Sequence, residues 1–289
     1  MAGGSGSRLY PMTSAINKHL LPIYDKPMIY YPLCTLMLAE IREILIISTP
    51  EDVQNFKALL GNGDRFGLEI NYAIQPSPDG LAQAFIIGKD FIGSDEVAMI
   101  LGDNIFVGPG MKDCLRKAKE NVIIRKATIF GYQVKDPCRF GVIEFDVDGR
   151  VISIEEKPKI PKSNFAAAGL YFYDNRVVDF ATKVKPSWRN ELEITDVNNF
   201  YLEADDLEAI PLDDEYTWMD AGTPDAMIEA ACCIQMIEKD CGVGVGYPEE
   251  IALLNGWVDR ADLEEFIKKN ANSDYGKYIS GILEKEFMK

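Results

Sequence analysis

The stretch Ala2-Gly-Gly-Ser-Gly-Ser-Arg-Leu9 follows Met1 at the start of the chain, and Lys18 comes soon after it. Three of the four residues from 3 to 6 are glycine, so the backbone can adopt positive φ and approach a bulky ligand closely. Successive N–H groups in such a loop form a concave site for anions. Because Arg8 and Lys18 add positive charge beside it, the stretch predicts a polyphosphate-binding loop.

Two common phosphate-binding motifs do not match this loop. The dinucleotide fingerprint needs a third glycine where Leu9 stands, and the Walker A loop needs a Gly-Lys-Ser/Thr sequence that is absent. A flexible terminus rich in glycine and serine is the structural alternative, and Arg8 and Lys18 count against it.

The composition excludes several classes of function. The chain has 289 residues, of which 47% are hydrophobic and 26% charged, as in ordinary globular proteins. Its net charge of −16 argues against nucleic acid as a partner, because phosphate backbones require a basic face. No apolar run approaches the ~18 residues that span a membrane. The single histidine, His19, leaves catalysis to carboxylates, Arg, Lys and metal ions. The six cysteines are interpreted as reduced, buried thiols of a cytoplasmic protein.

Short apolar runs alternate with amphipathic stretches in the first half of the chain. The predicted order is strand 44–48, helix 51–60, strand 69–74, helix 80–89 and strand 97–101. That alternation is typical of βαβ units, whose mostly parallel sheet is covered by helices on both faces. Ligands bind beyond the carboxyl ends of such strands. The glycine loop, Gln75 and Asp103 all fall at these ends.

The second half has closely spaced strands, predicted at 127–134, 141–145, 151–156 and 167–173. Predicted helices follow at 176–184, 194–203, 223–238, 261–269 and 275–285. The predicted fold class is therefore α/β. It consists of a Rossmann-like, mostly parallel sheet flanked by helices, an added mixed or antiparallel sheet, and a C-terminal helical extension.

Two acidic residues are candidates for binding a metal ion. Asp103 directly follows a predicted buried strand, and Asp220 lies in Trp218-Met-Asp-Ala-Gly-Thr223. Mg²⁺ prefers one or two carboxylates together with substrate phosphates, so this pair and the loop predict a metal–triphosphate site. The local alternatives are a helix cap or turn for Asp103 and the N-cap of the next helix for Asp220.

The sequence Glu155-Glu156-Lys157-Pro158 ends a predicted strand. Lys157 is a point charge suited to a monophosphate, and Glu156 can accept hydrogen bonds from sugar hydroxyls. A solvated cluster of charges at a turn is the alternative.

Together these motifs resemble the sugar-1-phosphate nucleotidyltransferases along essentially the whole chain. Within that family, Gln75-Pro-Ser-Pro-Asp-Gly80 favours the branch that converts dTTP and glucose 1-phosphate into dTDP-glucose and pyrophosphate. A relative that uses UTP is the second interpretation, and a non-catalytic relative that binds sugar nucleotides is the third. The matching segments are 2–9, 18–32, 75–84, 101–106, 140–142, 155–158, 169–174, 191–196 and 218–223.

The resemblance implies a role for each matched position. Arg8, Lys157 and Asp103 would be catalytic, with the sugar phosphate attacking the α-phosphorus in line. Asp103 and Asp220 would hold Mg²⁺. The nucleotide would be bound by Gly3, Gly4, Ser5, Gly6, Ser7, Arg8, Lys18, Gln75 and Gly80. Glucose 1-phosphate would be bound by Asn104, Gly141, Glu156, Lys157, Ala167 and Tyr171.

The resemblance also implies how the chain is organised. A nucleotidyltransferase core would span 1–241, with a nucleotide-binding half to about 110 and a sugar-binding half from 111. Residues 242–289 would form a helical extension packed on this core. The implied protein is a cytoplasmic homotetramer that serves the synthesis of dTDP-rhamnose and polysaccharide.

Met1 marks the main departure from the family pattern. In the family a central apolar strand precedes the loop, and Met1 takes the place of its last residue. We therefore expect an apolar slot and unpaired backbone groups in the core. Because the candidate catalytic residues are present, an incomplete sequence is the expected explanation. The small Ala167 and Ala221 are expected to loosen sugar selectivity slightly.

Overall fold

The computed structural model describes residues 1–4 and 6–286. Within them the strands are β1 (Pro22–Ile23), β2 (Lys26–Pro27), β3 (Glu43–Ser48), β4 (Glu69–Ile74), β5 (Val97–Ile100), β6 (Asn104–Val107), β7 (Ala127–Gln133), β8 (Gly141–Phe145), β9 (Val151–Glu156), β10 (Phe165–Tyr173), β11 (Leu207–Leu212) and β12 (Thr217–Asp220).

The α-helices of the same residues are α1 (Tyr30–Leu38), α2 (Val53–Leu60), α3 (Gln83–Ile87), α4 (Lys89–Ile92), α5 (Met111–Ile123), α6 (Arg176–Lys183), α7 (Ile194–Glu203), α8 (Pro224–Cys241), α9 (Pro248–Leu254), α10 (Arg260–Asn270) and α11 (Asp274–Glu286). None of these helices has the length and apolar character of a membrane span.

The predicted α/β class is confirmed, and several elements have the predicted bounds. Strands β4, β8 and β9 and helix α7 begin and end where the sequence pattern places them. The single helix predicted at 80–89 is wrong, because two short helices, α3 and α4, meet at Gly88. Helix α1 was not predicted, since residues 30–37 are buried on every side and show no helical period.

Strands β3 and β4 form a parallel pair, in register from Glu43 opposite Glu69 to Ser48 opposite Ile74. The sequence Ile44-Leu-Ile-Ile47 is apolar on both faces of the strand, as expected where helices cover both sides of a sheet.

Met1 and Ala2 bridge the carboxyl ends of β3 and β5. The Met1 nitrogen donates to the Ile100 carbonyl at 2.8 Å, and the Ala2 nitrogen donates to the Ile47 carbonyl at 2.7 Å. Beyond Met1 the gap between the two strands continues as a cavity of about 400 Å³ with apolar walls. The slot expected from the sequence is therefore present.

The larger sheet has the strand order β11-β7-β10-β8-β9, and β5 also pairs with β10. Strand β10 is antiparallel to β5, β7 and β8, whereas β11 is parallel to β7. The mixed sheet predicted for the second half is confirmed, and β5 joins it to the first half.

A buried lysine connects the amino-terminal hairpin β1–β2 to the C-terminal helices. The Lys26 side chain is inaccessible to solvent and lies 2.5 Å from Asp25 and 3.0 Å from Glu238. Its ammonium group also lies 3.8 Å from the centre of the Tyr247 ring. Since a buried charge is tolerated only when it is paired, this contact keeps the end of α8 and the start of α9 against the hairpin.

All six cysteines are free thiols, as predicted. Their predicted burial is wrong for Cys138, Cys232 and Cys241, which are exposed, while Cys34 is buried. Loop and helix surface positions accommodate small thiols, and sequence alone does not reveal which face they occupy.

Burial of the His19 ring predicts a pH-dependent stability. Burial lowers the pKa of His19 well below its ordinary value of 6.5. The unfolded chain then binds the proton more tightly, so the free energy of unfolding should rise as the pH increases toward ~6.5. Guanidinium unfolding at several pH values measures this rise, and its absence would show that His19 can be protonated in the folded chain.

Candidate active site

The glycine loop lies at the carboxyl ends of β3 and β5, where Met1 and Ala2 hold it. Gly6 has φ of 60°, a left-handed conformation that favours glycine, and leads into a 3₁₀ turn at Ser7–Leu9. Leu9 is fully buried and anchors the far side of the turn. At Gly3 a Cβ atom would lie 2.3 Å from Gln75 Oε1, so a larger residue would displace the Gln75 side chain. Ser5, a predicted ligand, lies outside the described residues.

Lys18 and Asp103 form a nearly buried ion pair between the Lys18 ammonium and Asp103 Oδ2. Burial alone would raise the pKa of Asp103, but Lys18 and a hydrogen bond from Asn104 outweigh it and hold this pKa well below its usual value. Asp103 is therefore a permanent carboxylate. The ion pair excludes the alternative in which Asp103 serves only as a helix cap.

The single histidine is not available as a catalytic base. His19 Nδ1 lies 2.7 Å from Asn17 Oδ1, and the ring is 2% exposed. Burial lowers the pKa of His19 well below its ordinary value, so the ring stays neutral. The prediction that catalysis relies on other groups agrees with this position.

The structure brings Asp103 and Asp220 together. Strand β12 pairs with β6 so that Asp220 lies opposite Asn104, and the Ala221 nitrogen donates to the Asp103 carbonyl at 2.9 Å. Burial raises the pKa of Asp220, and the Asp103 charge raises it further. The N-cap of α8 is Thr223 rather than Asp220, so the capping role considered for Asp220 is wrong.

Two carboxylates suit a cation that takes its other ligands from substrate and water. Among residues 1–4 and 6–286, no group of three or more His, Cys, Asp or Glu side chains could hold a metal ion. A closed zinc-type site would need such a group, whereas Mg²⁺ needs only one or two carboxylates.

Arg8 reaches across the loop to the Asp220 turn. A Cβ atom on Gly222 would lie 2.6 Å from Arg8 Nη2 and 2.9 Å from Asp220 Oδ1. The absence of a side chain at position 222 therefore lets the guanidinium and the carboxylate occupy the same small region.

Gln75 is buried, and its amide is oriented by two acceptors. Its Nε2 donates to the Gly80 carbonyl at 3.2 Å and to Gln83 Oε1 at 2.7 Å. Gly80 has φ of 115°, and a Cβ there would lie 2.4 Å from the Leu192 backbone. The Leu192 backbone thus requires glycine at position 80, whether or not a nucleotide base also lies close to it.

Most of the residues predicted to bind the nucleotide line one cavity of about 340 Å³. The cavity is also lined by residues to which the sequence assigned no ligand role: Pro78, Leu81, Arg189, Glu191 and Gly222. The predicted residues that line it are Gly3, Gly4, Gly6, Ser7, Arg8, Lys18, Gln75, Gly80 and Asp103.

A second group of predicted residues surrounds Glu156 at the end of β9. Thr195 donates to Glu156 Oε2 at 2.6 Å. A Cβ on Gly141 would lie 3.4 Å from the same oxygen and 3.7 Å from Ala167 Cβ. Tyr171 is buried nearby, and burial together with the Glu156 charge raises its pKa. The solvated cluster considered for this segment is therefore wrong for Glu156, which is held by buried neighbours.

Lys157 carries its charge on a strained backbone. Its φ of 44° lies in the left-handed region that non-glycine residues rarely adopt. The Lys157 nitrogen donates to the Phe140 carbonyl at 3.0 Å, and its ammonium lies 3.6 Å from Glu156 Oε1. Strain of this kind is concentrated at functional sites.

Asn104 connects the two groups of residues. Its Oδ1 accepts from the Gly169 nitrogen at 3.0 Å and from Trp218 Nε1 at 2.7 Å, while its Nδ2 donates to Asp103. The side chain thus orients Asp103 and ties β10 to β12, in addition to its predicted role toward the sugar.

Sequence reasoning missed Arg189, which lines the nucleotide cavity and also reaches Glu156. Its guanidinium lies 3.5 Å from Glu156, 2.7 Å from Glu191 and 3.4 Å from Glu193. The sequence signal that could have identified Arg189 was its charge, because cations are scarce in so acidic a chain. The flanking segment Trp188–Asn190 has no motif that marks it.

An α/β chain that gathers a glycine loop, Arg8, Lys18 and Asp103 around one cavity at the ends of its strands has the features of a nucleotide-handling enzyme. The chain belongs to the nucleotidyl transferase family, whose model matches residues 1–236.

Relatives that match nearly the whole chain share one name. The glucose-1-phosphate thymidylyltransferase of Neisseria meningitidis serogroup A is 53% identical over 99% of this chain and 98% of its own length. The enzyme of the same name from Mycobacterium tuberculosis is 48% identical over 99% of this chain.

Two solved structures have folds similar to that of this chain. A Bacillus anthracis protein described as a candidate glucose-1-phosphate thymidylyltransferase, in complex with sucrose, has a TM-score of 0.73 and 40% identity, covering 80% of this chain and 92% of its own. A UDP-glucose pyrophosphorylase complexed with UDP-glucose has a TM-score of 0.69 and 25% identity, with coverage of 80% and 95%.

Gly222→Ala should lower enzymatic turnover while the fold remains intact. The new Cβ would displace Arg8 and Asp220. A displacement of reacting groups by about 1 Å can lower the reaction rate ~100-fold. We expect a loss of at least about tenfold in pyrophosphate release, with an unchanged thermal midpoint.

Gly281→Ala is the matched control, because no atom lies within 4 Å of the Cβ that it adds. It should leave turnover unchanged. Equal turnover in the two variants would show that Gly222 does not position Arg8 and Asp220.

Proposed function

We propose that this enzyme transfers a thymidylyl group from dTTP to glucose 1-phosphate and releases pyrophosphate. The observation that supports this most strongly is the single cavity that gathers the glycine loop, Arg8, Lys18 and Asp103 beside the Glu156 group. The names of the relatives with 48–53% identity support the choice of substrates.

The proposed reaction needs little acid–base chemistry. The phosphate of glucose 1-phosphate is already ionised near neutral pH, since the second pKa of a phosphate monoester is about 6. One of its oxygens attacks the α-phosphorus of dTTP in line, the new P–O bond forms, and the bond to pyrophosphate breaks with its electron pair. The main barrier is repulsion between two anions, which positioned cations reduce.

The cations of this chain lie where these charges would be. Arg8 and Lys18 line the cavity beside the glycine loop, which we assign to the triphosphate. We assign Lys157 to the phosphate of glucose 1-phosphate, while Arg189 extends from the Glu156 group into the nucleotide cavity. Arg8 offers a planar fork for two phosphate oxygens, which a lysine cannot supply.

Gln75 supports a pyrimidine base with a protonated ring nitrogen. Both hydrogens of its amide are directed to Gly80 and Gln83, which leaves Oε1 as an acceptor beside Gly3. Thymine and uracil each present an N–H at ring position 3, whereas cytosine presents an acceptor there. The contact therefore selects against CTP but does not separate dTTP from UTP.

The residues around Glu156 form the proposed sugar site. A carboxylate that is fixed by Thr195 can accept hydrogen bonds from sugar hydroxyls. Gly141, which lacks a side chain, and the small Ala167 lie beside it, and the buried Tyr171 lies close enough for the charge of Glu156 to raise its pKa.

Asp103 and Asp220 fit a Mg²⁺ ion, and we propose that they hold it together with phosphate oxygens. Asp103 is charged. Burial raises the pKa of Asp220 and the charge of Asp103 raises it further, and a cation between the two groups would relieve that repulsion. When bound, the ion would supply charge neutralisation on the transferred phosphates. The tetrameric state and cytoplasmic location expected from the resemblance remain predictions.

Arg8→Ala should reduce turnover by about 10²–10³-fold, the usual cost of removing one donor that stabilises developing charge. Because Arg8 is exposed, the fold should persist. Steady-state pyrophosphate release with dTTP and glucose 1-phosphate measures the loss.

Arg8→Lys should recover only part of that loss, since the charge remains but the fork does not. Arg150→Ala, which removes another exposed arginine, serves as the control and should be neutral. Near-normal turnover of Arg8→Ala would remove Arg8 from the mechanism.

Comparison of nucleotides tests the choice of base. With glucose 1-phosphate held constant, we expect the order of kcat/KM to be dTTP, then UTP, then CTP. Gln75→Glu should weaken dTTP and UTP less than Gln75→Leu, because a carboxylate keeps the acceptor that the leucine lacks. A preference for UTP over dTTP would favour the second interpretation, a uridylyltransferase.

A further inference from the structure

Arg189 lies between the two groups of residues that we assign to the substrates. It lines the nucleotide cavity, and its Nη1 lies 3.5 Å from Glu156 Oε1 in the proposed sugar site. The proposed reaction joins the sugar phosphate to the nucleotide, so a cation at this boundary lies where the two anions would meet. What holds the guanidinium there therefore matters for the reaction.

Three carboxylates surround the Arg189 guanidinium, and they differ in how firmly they are held. Its Nη2 lies 2.7 Å from Glu191, whose side chain is 33% exposed and also lines the nucleotide cavity. Glu156 also contacts Lys157 at 3.6 Å, and we assign it to sugar hydroxyls. Glu193 lies 3.4 Å from Nη1; its side chain is 8% exposed, and it is not among the described residues that line the cavity. Substrates would reach the first two carboxylates, so Glu193 is the partner that remains with Arg189 when both sites are filled.

The Glu193 side chain is not used by the helix that it begins. Glu193 is the N-cap residue of α7, but its side chain accepts no capping hydrogen bond from the helix. Instead the Ser187 hydroxyl donates to Glu193 Oε1 at 2.7 Å, and the Arg189 nitrogen donates to the same hydroxyl at 3.1 Å. A nearly buried carboxylate is unfavourable unless it has partners. The partners of Glu193 both belong to the loop that carries Arg189.

The backbone of this loop is already fixed. The Asn190 nitrogen donates to the Ser187 carbonyl at 2.8 Å, in a tight turn where Asn190 has φ of 60°. The Leu192 nitrogen donates to the Asp79 carbonyl at 2.6 Å, and the Leu192 carbonyl accepts from the Ala82 nitrogen at 3.0 Å. The remaining freedom is in the long arginine side chain itself, and a carboxylate partner reduces that freedom.

We propose that Glu193 is a positioning residue, and this inference rests on the proposed function: Glu193 holds the Arg189 guanidinium at the boundary of the two sites, where the sugar phosphate would meet the α-phosphate. Glu193 acts through Arg189 and does not contact the reacting atoms. Loss of its charge should therefore leave the binding of each substrate nearly unchanged and slow the step that brings the two anions together.

Glu193→Gln tests this role in the whole chain, because glutamine keeps an acceptor for the Ser187 hydroxyl but lacks the charge. We expect kcat for pyrophosphate release to fall about tenfold, while KM for dTTP and for glucose 1-phosphate changes less than about twofold. Glu203→Gln, at the exposed end of the same helix, is the matched control and should leave kcat and both KM values unchanged.

The split between kcat and KM separates positioning from a structural role. If Glu193 only stabilised the start of α7, its loss would disturb Thr195, which donates to Glu156 in the proposed sugar site. The KM for glucose 1-phosphate would then rise while kcat stayed nearly constant, and that result would overturn the proposal.

Arg189→Ala provides a second test through a double variant. If Glu193 acts only through Arg189, Glu193→Gln should lower kcat no further once the arginine is absent. Losses that multiply in the double variant would show that Glu193 acts independently and would overturn the proposal. If Glu193→Gln does not fold, Ser187→Ala replaces it, because it removes the hydroxyl that orients the carboxylate, and it should lower kcat in the same direction.

The wild-type chain separates this inference from the proposed function. Normal wild-type turnover together with an unchanged kcat for Glu193→Gln would overturn only the positioning role. Absence of wild-type turnover with each of the nucleotides tested would overturn both.

Discussion

The parallel pairing of Met1 and Ala2 with the ends of β5 and β3 is the contact on which the rest of the site depends. Two short hydrogen bonds, to Ile100 and Ile47, place the glycine loop at the carboxyl edge of both strands. From there the chain turns through Gly6 and brings Arg8 to the Asp220 turn. The ends of unrelated strands then supply Gln75 and Asp103 to the same cavity. A small ladder therefore determines which side chains meet the nucleotide.

Charge is distributed in a way that suits an acidic enzyme with anionic substrates. The chain carries a net charge of −16, yet its key cations already have carboxylate partners. Lys18 is paired with Asp103, and Arg189 contacts Glu156 and two further glutamates. Such pairs keep the long side chains in place before a ligand binds. Under the proposed function, a phosphate group would replace a carboxylate as partner, which would limit the cost of removing water from the cations.

Much of the fold could be predicted from the sequence, because its signals are local. Periodicity of apolar residues is enough to place β4, β8, β9 and α7. It fails for α1, whose residues are buried on all sides, and for the interval at Gly88, where one helix becomes two.

The sequence identified many residues of the candidate site, but it did not always identify the contact that requires each of them. Gly80 was expected to serve the nucleotide base, but the contact that requires glycine is with Leu192. Arg189, in the loop before α7, and Thr195, in the first turn of α7, were missed because both act on Glu156 at the end of β9, which is distant in sequence. Likewise, the pairing of β12 with β6 places Asp220 opposite Asn104 and so near Asp103, and the structure shows that Thr223 rather than Asp220 caps α8.

The left-handed backbone at Lys157 restricts how this position can evolve. A lysine in that conformation costs about 1–2 kcal/mol relative to a relaxed backbone. Selection for stability alone would favour glycine, and asparagine would be the next choice. Either replacement would remove the ammonium group beside Glu156. Residues that fit this backbone better would therefore replace lysine unless its charge were needed. If lysine persists at position 157 among descendants of this chain, selection is retaining that charge.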